Sequence, residues 1–242
     1  MIDTHCHIDL YKNPIKIIQD CEKSGITVLG MTNLPSHFEM GYPHVIPYKK
    51  IRLALGMHPL YVEQHENEYP AFLRNLSKTS YIGEVGLDFS KEGFSTKEIQ
   101  LKSFHRILNE LKGKKKILSI HSRRAEKEVF NLLLEYNIKN AIFHWYSGPL
   151  SLIDEIVKSG YYFSINPAMI KSVNGKKIIS KIPLNKILTE TDGPFVEVNS
   201  RIVVPNDIVF IIEYLSVLLA KTFKEIELLI QDNFNILIGS IK

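Results

Sequence analysis

The sequence predicts an α/β fold, a TIM-type (β/α)8 barrel. Eight short apolar runs alternate with segments whose apolar residues recur at spacings of three and four. Strands that alternate with helices form right-handed βαβ units and a parallel sheet, and eight such units favour a closed barrel. The chain has 242 residues, of which 45% are hydrophobic, and one barrel of this type takes roughly 250 residues. We therefore expect a single domain over residues 1–242.

The predicted elements follow one another regularly. The apolar runs that we take as strands are Met1–Thr4, Thr27–Met31, Ile51–Leu55, Tyr81–Val85, Ile117–Ile120, Ala141–Phe143, Tyr162–Ile165 and Ile187–Thr189. Amphipathic helices separate them, and two more helices, at about Asn206–Ala220 and Lys224–Ile238, cover the outside of the barrel. The connection from Thr32 to Lys50 contains prolines and a glycine that interrupt any helix.

The composition predicts a cytoplasmic protein. No apolar run reaches the roughly 18 residues of a membrane span, and the first residues lack the basic and apolar regions of a secretory signal. The two cysteines, Cys6 and Cys21, are too few for a disulfide framework, which favours a reducing compartment. The net charge of +4 tolerates a polyanionic substrate without requiring one.

Polar residues of one chemical kind stand at the ends of the predicted strands. They are His5, His7, His58, Glu84, Asp88, His121, His144 and Asp192. Because the carboxyl ends of parallel strands open on one face of a barrel, we expect these residues to converge there. The other histidines, His37, His44, His65 and His105, lie in loops or helices, and we treat them as ordinary polar residues.

Imidazole and carboxylate side chains together predict a site for divalent cations. Both groups bind zinc and manganese, and carboxylates also bind magnesium. In extended backbone His5 and His7 point to one side and Cys6 to the other, so the two imidazoles can hold one cation. A lone histidine at a strand end is more often a hydrogen-bonded residue than a ligand, but several histidines with two acids reverse that expectation.

Further candidates for substrate binding follow two of the histidines. Arg123 and Arg124 come after His121, and a guanidinium at the barrel mouth can fork onto phosphate oxygens. The alternative is that both arginines are solvated at the start of a helix. Trp145 and Tyr146 come after His144 and can stack on a base of single-stranded nucleic acid, although one residue of such a pair is usually core.

The motifs at the strand ends resemble those of the TatD family of metal-dependent deoxyribonucleases. The motifs are Asp3-Thr4-His5-Cys6-His7-Ile8-Asp9, Gly56-Met57-His58-Pro59, Gly83-Glu84-Val85-Gly86-Leu87-Asp88, Ile120-His121-Ser122-Arg123, His144-Trp145-Tyr146-Ser147-Gly148 and Thr189-Glu190-Thr191-Asp192-Gly193-Pro194. Finer features look like the QatD branch, which is associated with bacterial anti-phage systems. These features are Ser119-Ile120-His121-Ser122-Arg123-Arg124-Ala125, Pro167-Ala168-Met169 and Thr191-Asp192-Gly193-Pro194-Phe195.

The resemblance implies a centre of two divalent cations (zinc, manganese or magnesium) that hydrolyses phosphodiester bonds of DNA, as single strands or ends. The ligands of one cation would be His5, His7, Glu84 and Asp192, and those of the other Glu84, His121 and His144. His58 would bind phosphate or assist the leaving group, and Asp88 would support a ligand from behind. Asp192 would orient the attacking water and accept its proton. Other proteins of a defence operon are possible partners.

The sequence departs from the family pattern around the last motif. Most members carry Ser or Ala where Gly193 stands. An Arg-Gly-x-x-Asn-x-Pro-like segment usually follows Pro194, where this chain has Phe195-Val196-Glu197-Val198-Asn199-Ser200-Arg201. The metal ligands are untouched, and the difference bears on substrate contacts because this loop lines the mouth.

Two other functions fit the same residues. The first is hydrolysis of an amide or ester substrate, because fold and metals do not fix the substrate. Against it, phosphotriesterase-like and dihydroorotase-like barrels typically place a carboxylated lysine where Glu84 stands. The second is a partner-dependent subunit that is inactive alone, which intact ligand candidates do not exclude.

Overall fold

The computed structural model describes residues 1–241, whose main feature is a barrel of parallel strands. The strands are β1 (Ile2–Cys6), β2 (Thr27–Gly30), β3 (Ile51–Leu53), β4 (Leu55–Met57), β5 (Tyr81–Gly86), β6 (Ile117–His121), β7 (Ala141–His144), β8 (Tyr162–Ile165) and β9 (Ile187–Thr189). Parallel ladders join them in the orders β1-β2-β3 and β4-β5-β6-β7-β8-β9. This is the predicted α/β barrel of the TIM type. The predicted third strand, Ile51–Leu55, is interrupted at Ala54, so that β3 lies within it and β4 continues beyond it to Met57.

Hydrogen bonds outside the ladders close the barrel at two places. Between the two sheets, the Ala54 amide donates to the Gly30 carbonyl at 2.8 Å. Between β1 and β9, the Thr4 hydroxyl donates to the Thr189 carbonyl at 3.0 Å, and the Thr191 amide donates to the Asp3 carboxylate at 3.0 Å. Side chains therefore join the first strand to the last and bring the residues that follow them side by side.

Helices surround the barrel. They are α1 (Pro14–Ser24), α2 (Pro35–Val45), α3 (His65–Asn75), α4 (Lys97–Leu111), α5 (Glu126–Glu135), α6 (Leu150–Lys158), α7 (Pro167–Lys171), α8 (Val173–Lys181), α9 (Val209–Leu219) and α10 (Phe223–Gly239). Local sequence sets their ends: the Asn13 side chain accepts the Lys16 amide at 3.1 Å before α1, and Gly25, with φ of 72°, ends that helix. Among the helices of residues 1–241, none has the length and apolar character needed to cross a bilayer.

Helix α2 lies in the connection for which we expected no helix, so that expectation was wrong. Pro35 occupies the first helical turn, where a missing amide hydrogen costs nothing. Pro43 stands inside the helix, but Phe38 and Val45 are buried against the barrel. Packing of this apolar face outweighs the local cost of proline. No regular apolar spacing in this segment predicts the helix.

One end of the barrel is closed by apolar side chains. Phe234 and Leu237 of α10 belong to the same buried cluster as Ile2, Leu29 and Leu188 of the strands. Ile2 is the first residue of β1, and α10 packs against β9, so α10 covers that side of the barrel. The carboxyl ends of the strands are left open for a site.

Candidate metal centre

The structure gathers the predicted ligands at the carboxyl ends of the strands. His5, Glu84, His121 and His144 lie within β1, β5, β6 and β7, while His7, His58 and Asp192 directly follow β1, β4 and the end of β9. Apart from the half-buried His121, all of these residues are buried. Together with Asp88, Arg123, Trp145 and other neighbours, most of them line a cavity of about 470 Å³.

The first group of ligand atoms surrounds one oxygen of Glu84. His5 Nε2 and His7 Nε2 lie 3.2 Å apart, and they lie 3.5 and 3.2 Å from Glu84 Oε2. Asp192 Oδ1 is 3.5 Å from His5 Nε2 and 3.8 Å from His7 Nε2. Nitrogen ligands at about 2.0–2.1 Å from a tetrahedral zinc are about 3.3 Å apart, so these spacings fit the edges of a coordination shell.

The second group surrounds the other oxygen of the same carboxylate. His144 Nε2 lies 2.7 Å from Glu84 Oε1, and His121 Nδ1 also contacts this oxygen. The two oxygens of Glu84 thus face different groups of imidazoles. A carboxylate in this arrangement can bridge two cations.

His58 and His144 each belong to a further set of neighbouring ligand atoms. The sets whose ligand atoms lie within 4.8 Å of one another are His5, His7 and Glu84; His5, His144 and Asp192; and His58, Glu84 and His121. His58 Nε2 is 3.5 Å from Glu84 Oε2, while its Nδ1 accepts the Leu60 amide at 3.2 Å. The structure therefore places His58 among the ligand candidates, within reach of anything bound there.

Burial and charge set the protonation of the site. Burial raises the pKa of Glu84, but His58, His144 and the other imidazoles outweigh it and hold the pKa of this carboxyl well below its usual range. Burial also lowers the pKa of His5 well below its usual range, and it raises the pKa of Asp192 to about 7. An ionised Glu84 and a neutral His5 are in the forms that metal ligands require.

His121 and His144 respond in the opposite direction. Burial lowers the pKa of each imidazole, but the charge of Glu84 overcomes this, so the pKa of His121 is raised and that of His144 is raised well above its usual range. A cation bound by these nitrogens would replace a proton. Metal binding at this group is therefore coupled to proton release.

Two carboxylates support the histidines from behind. Asp88 Oδ2 lies 2.8 Å from His121 Nε2, on the side of the ring away from Glu84, and Asp88 Oδ1 accepts the Ser90 amide at 2.8 Å. Glu190 Oε1 lies 3.7 Å from His144 Nδ1. Carboxylates behind liganding imidazoles fix ring orientation and raise basicity.

Glu190 is a site residue that the sequence reasoning missed. It is fully buried. Its two oxygens accept hydrogen bonds from the Ser164 hydroxyl, from the Asn166 side-chain amide at 3.1 Å and from the Trp145 backbone amide at 3.0 Å. The last bond holds Trp145 at a φ of 38°, which is uncommon outside glycine. The available signal was the spacing of two between Glu190 and Asp192 at the end of a strand, the same spacing that flagged His5 and His7.

The candidate substrate contacts lie at the rim of the cavity. Arg123 lines it, but its guanidinium also forms an exposed ion pair of 2.9 Å with Glu92. Trp145 lines the cavity and is 36% exposed, whereas Tyr146 is buried and donates to the Pro149 carbonyl at 2.8 Å. The pair thus divides into one rim residue and one core residue.

The divergent loop after Pro194 forms a small hairpin beside the site. Strands β10 (Glu197–Val198) and β11 (Arg201–Ile202) pair antiparallel, and Asn199 and Ser200 between them have φ of 52° and 58°. Two successive positive φ values are the hallmark of a type I′ turn. At the start of the loop, Phe195 is 58% exposed, lines the cavity and lies edge-on to His7 at 5.1 Å.

A tyrosine occupies the space that a side chain at position 193 would need. A Cβ atom on Gly193 would lie 1.9 Å from the Tyr11 hydroxyl. That hydroxyl donates to the Val203 carbonyl at 2.6 Å and so ties the hairpin to the segment after β1. The position of the Tyr11 hydroxyl therefore requires a residue without a side chain at position 193.

Comparison with known proteins agrees with this architecture. The family model described as TatD related DNase matches residues 2–239. Human deoxyribonuclease TATDN3 is 28% identical over 213 residues, which cover 80% of this chain and 78% of the relative. The metal-dependent hydrolase MJ1582 of Methanocaldococcus jannaschii is 29% identical over 205 residues, with coverage of 80% and 78%.

Two solved structures share the fold. The TatD homologue YJJV of Escherichia coli superposes with a TM-score of 0.85 at 21% identity, covering 99% of this chain and 98% of its own. A TatD family hydrolase of Entamoeba histolytica gives a TM-score of 0.81 at 18% identity, with 96% of each chain covered. These likenesses confirm the predicted TIM-type barrel.

Proposed function

The chain belongs to the family of TatD-related deoxyribonucleases, and from this premise we propose that it cleaves phosphodiester bonds of DNA at a centre of two divalent cations. The proposal depends mainly on one observation: the two carboxylate oxygens of Glu84 face separate groups of imidazoles. A bridging carboxylate is what a two-cation site needs. Family membership by itself identifies the chain as a metal-dependent hydrolase.

In the proposal His5, His7, Glu84 and Asp192 would hold one cation, and Glu84, His121 and His144 the other. The donor set is rich in imidazole, which favours zinc or manganese over magnesium. Bound cations would supply Lewis-acid chemistry, activating water as a nucleophile and neutralising charge on phosphoryl oxygens.

Two side chains of the site would move or share protons. Asp192 would orient the attacking water and accept its proton, because its carboxylate lines the cavity beside His5 and His7. His58 would bind the phosphate or assist departure of the leaving oxygen, because its Nε2 faces Glu84 across the cavity. Its Nδ1 is engaged by the Leu60 amide, which fixes the ring.

The rim would hold the nucleotide. Arg123 would contact phosphate, exchanging its exposed partner Glu92 for a charge at the mouth. Trp145, and with it the exposed ring of Phe195, would stack on bases. Because stacking needs an accessible base face, we expect single strands or ends as the preferred form of DNA.

An assay with reconstituted metal tests the proposal. Wild type, Glu84→Gln and Asp192→Asn are compared on single-stranded DNA, double-stranded DNA, RNA, an amide and a lactone, with bound zinc and manganese quantified for each protein. We expect Asp192→Asn to lose about 10²–10⁴-fold in DNA cleavage, as removal of a general base does. Asp207→Asn, a buried acid that does not line the cavity, is the matched control. Equal cleavage by all proteins would show the site assignment to be wrong, and turnover of amide or lactone alone would replace the nuclease by another hydrolase.

A second part of the proposal concerns the biological role of the enzyme and its partner proteins. From the QatD-like motifs we propose that residues 1–242 act as one nuclease domain of an anti-phage defence system, with partner proteins from the same operon. Two free cysteines, Cys6 and Cys21, are consistent with work in the cytoplasm. Phage plating on cells that carry the operon, with wild type or Glu84→Gln in place, tests this role: equal plating efficiency argues against it.

A further inference from the structure

A second cavity adjoins the metal centre. It has a volume of about 570 Å³ and shares Arg123 and Ser147 with the first cavity. Its remaining wall includes Arg124, Glu126 and Asn174, together with Leu150 at the start of α6. Arg123 and Ser147 thus form a wall common to both cavities.

Some charged side chains of this second cavity have partners within the protein, and one does not. Arg123 is paired with Glu92 at 2.9 Å, and the buried carboxylate of Glu126 accepts the Ser147 hydroxyl at 3.3 Å. Arg124 is exposed, and its guanidinium has neither an ion pair nor a hydrogen bond within residues 1–241. The first turn of α6 adds the positive end of a nine-residue helix to the same wall.

The backbone holds Arg124 in place. Its φ is 57°, and it lies in a turn closed by the bond from the Ala125 amide to the Ser122 carbonyl at 2.9 Å. The Phe89 amide also donates to the Arg123 carbonyl at 2.9 Å. A long side chain on a fixed backbone loses less freedom when it meets a ligand.

We propose that this cavity binds the phosphate next to the scissile one, with Arg124 as its main contact, so that the substrate is a strand of several nucleotides. The inference rests on the proposed function. A free anion would bind weakly here, because it would meet one unpaired guanidinium beside the Glu126 carboxylate. A phosphate tethered to one already held at the metal centre is presented at an effective concentration in about the millimolar range, which makes a single arginine useful.

The test compares Arg124→Gln with Lys158→Gln. Lys158 is exposed at the opposite end of α6, and its charge has no ion pair among residues 1–241. Cleavage of a dinucleotide, which has only the scissile phosphate, is compared with that of an octanucleotide. We expect Arg124→Gln to lower kcat/KM on the octanucleotide about 10-fold, mainly through KM, as loss of a charged hydrogen bond does. The dependence of log K on log salt should also become shallower by about 0.7. The loss should be confined to the longer substrate, and Lys158→Gln should match wild type.

Binding measured without turnover separates this inference from the proposed function. Anisotropy of a labelled octanucleotide is measured with zinc bound, on proteins that also carry Asp192→Asn so that the strand is held without being cleaved, and inorganic phosphate serves as the competitor. Weaker binding by Arg124→Gln, with little competition from phosphate, supports a strand-binding cavity. Equal binding by wild type and Arg124→Gln, equal losses on both substrate lengths, or an equal loss in Lys158→Gln would overturn it.

Discussion

Replacing Glu190 with Gln removes a buried charge behind the metal centre and keeps the shape of the side chain. The amide oxygen of Gln can accept from Asn166 and Trp145 as the carboxylate does, and its NH₂ can donate to the hydroxyl of Ser164, which is able to accept. The Asn166 and Trp145 donors keep their acceptor, and Ser164 keeps a hydrogen bond in which it accepts instead of donating. We expect the free energy of unfolding of the metal-free protein to change by less than about 1 kcal/mol.

The effect on metal binding should be larger. Loss of a carboxylate behind a liganding histidine costs about 10–100-fold in metal affinity. Because Glu190 Oε1 lies 3.7 Å from His144 Nδ1, longer than a hydrogen bond, we expect the lower end of that range. The expected loss is about tenfold, or about 1.4 kcal/mol of binding free energy.

Competition for zinc against a chromogenic chelator at neutral pH measures this affinity without any substrate. Asp207→Asn, a second buried acid, controls for the loss of a carboxylate elsewhere, and thermal melting of the metal-free proteins controls for folding. Equal zinc affinity in wild type and folded Glu190→Gln would refute the idea that Glu190 acts through His144. A loss of several kcal/mol in stability would assign Glu190 a structural role instead.

Three further predictions concern the scaffold. Phe143→Ala, at a fully buried position between Tyr146, Tyr161 and Phe163, should cost about 3–5 kcal/mol in chemical denaturation, whereas Leu134→Ala at an exposed position should stay within about 0.5 kcal/mol of wild type. Ser200→Gly should raise stability by about 0.5–1 kcal/mol, because Gly relieves the φ of 58° in the hairpin turn; no gain in the denaturation midpoint would argue against that turn. Hydrogen bonds from Arg74 and Asn75 lower the pKa of Glu39 from its ordinary 4.5 to about 2, so this carboxylate contributes stability above pH 4.5 that is lost as the pH falls towards 2. Glu39→Gln should therefore be less stable than wild type by at most about 1 kcal/mol at neutral pH, since the pair is at the surface, and the two proteins should converge near pH 2; a constant difference would contradict the assignment.

The barrel and the convergence of the candidate ligands could be predicted from the sequence because two simple regularities coincide. Buried parallel strands are short apolar runs, and the fold presents all of their carboxyl ends on one face. His5, Glu84, His121 and Asp192 each stand at such an end, so their position along the chain predicted their meeting in space. The distribution of the ligands between the oxygens of Glu84 depends on side-chain rotamers, which no spacing reveals.

Other features depend on contacts between distant residues and could not be read locally. Helix α2 forms despite Pro43 because the buried Phe38 and Val45 anchor it. Glu190 belongs to the site through its position beside His144 and its hydrogen bonds to Ser164 and Asn166, which join residues far apart in the sequence. The turn at Asn199 and Ser200 lacks the glycine that usually marks a type I′ turn, so the hairpin had no clear local signal.

The seam between β1 and β9 sets the order in which the enzyme can become competent. Its hydrogen bonds join residues 185 and 188 positions apart in the chain, and the same seam brings His5 and His7 to Asp192. Contacts between residues so distant in sequence form late in folding, because the entropy cost of closing a long loop comes before the contacts can stabilise the chain. During synthesis, a ribosome-bound chain would therefore carry its first histidines for most of translation without a working centre, and would gain one only once the last barrel strand had emerged.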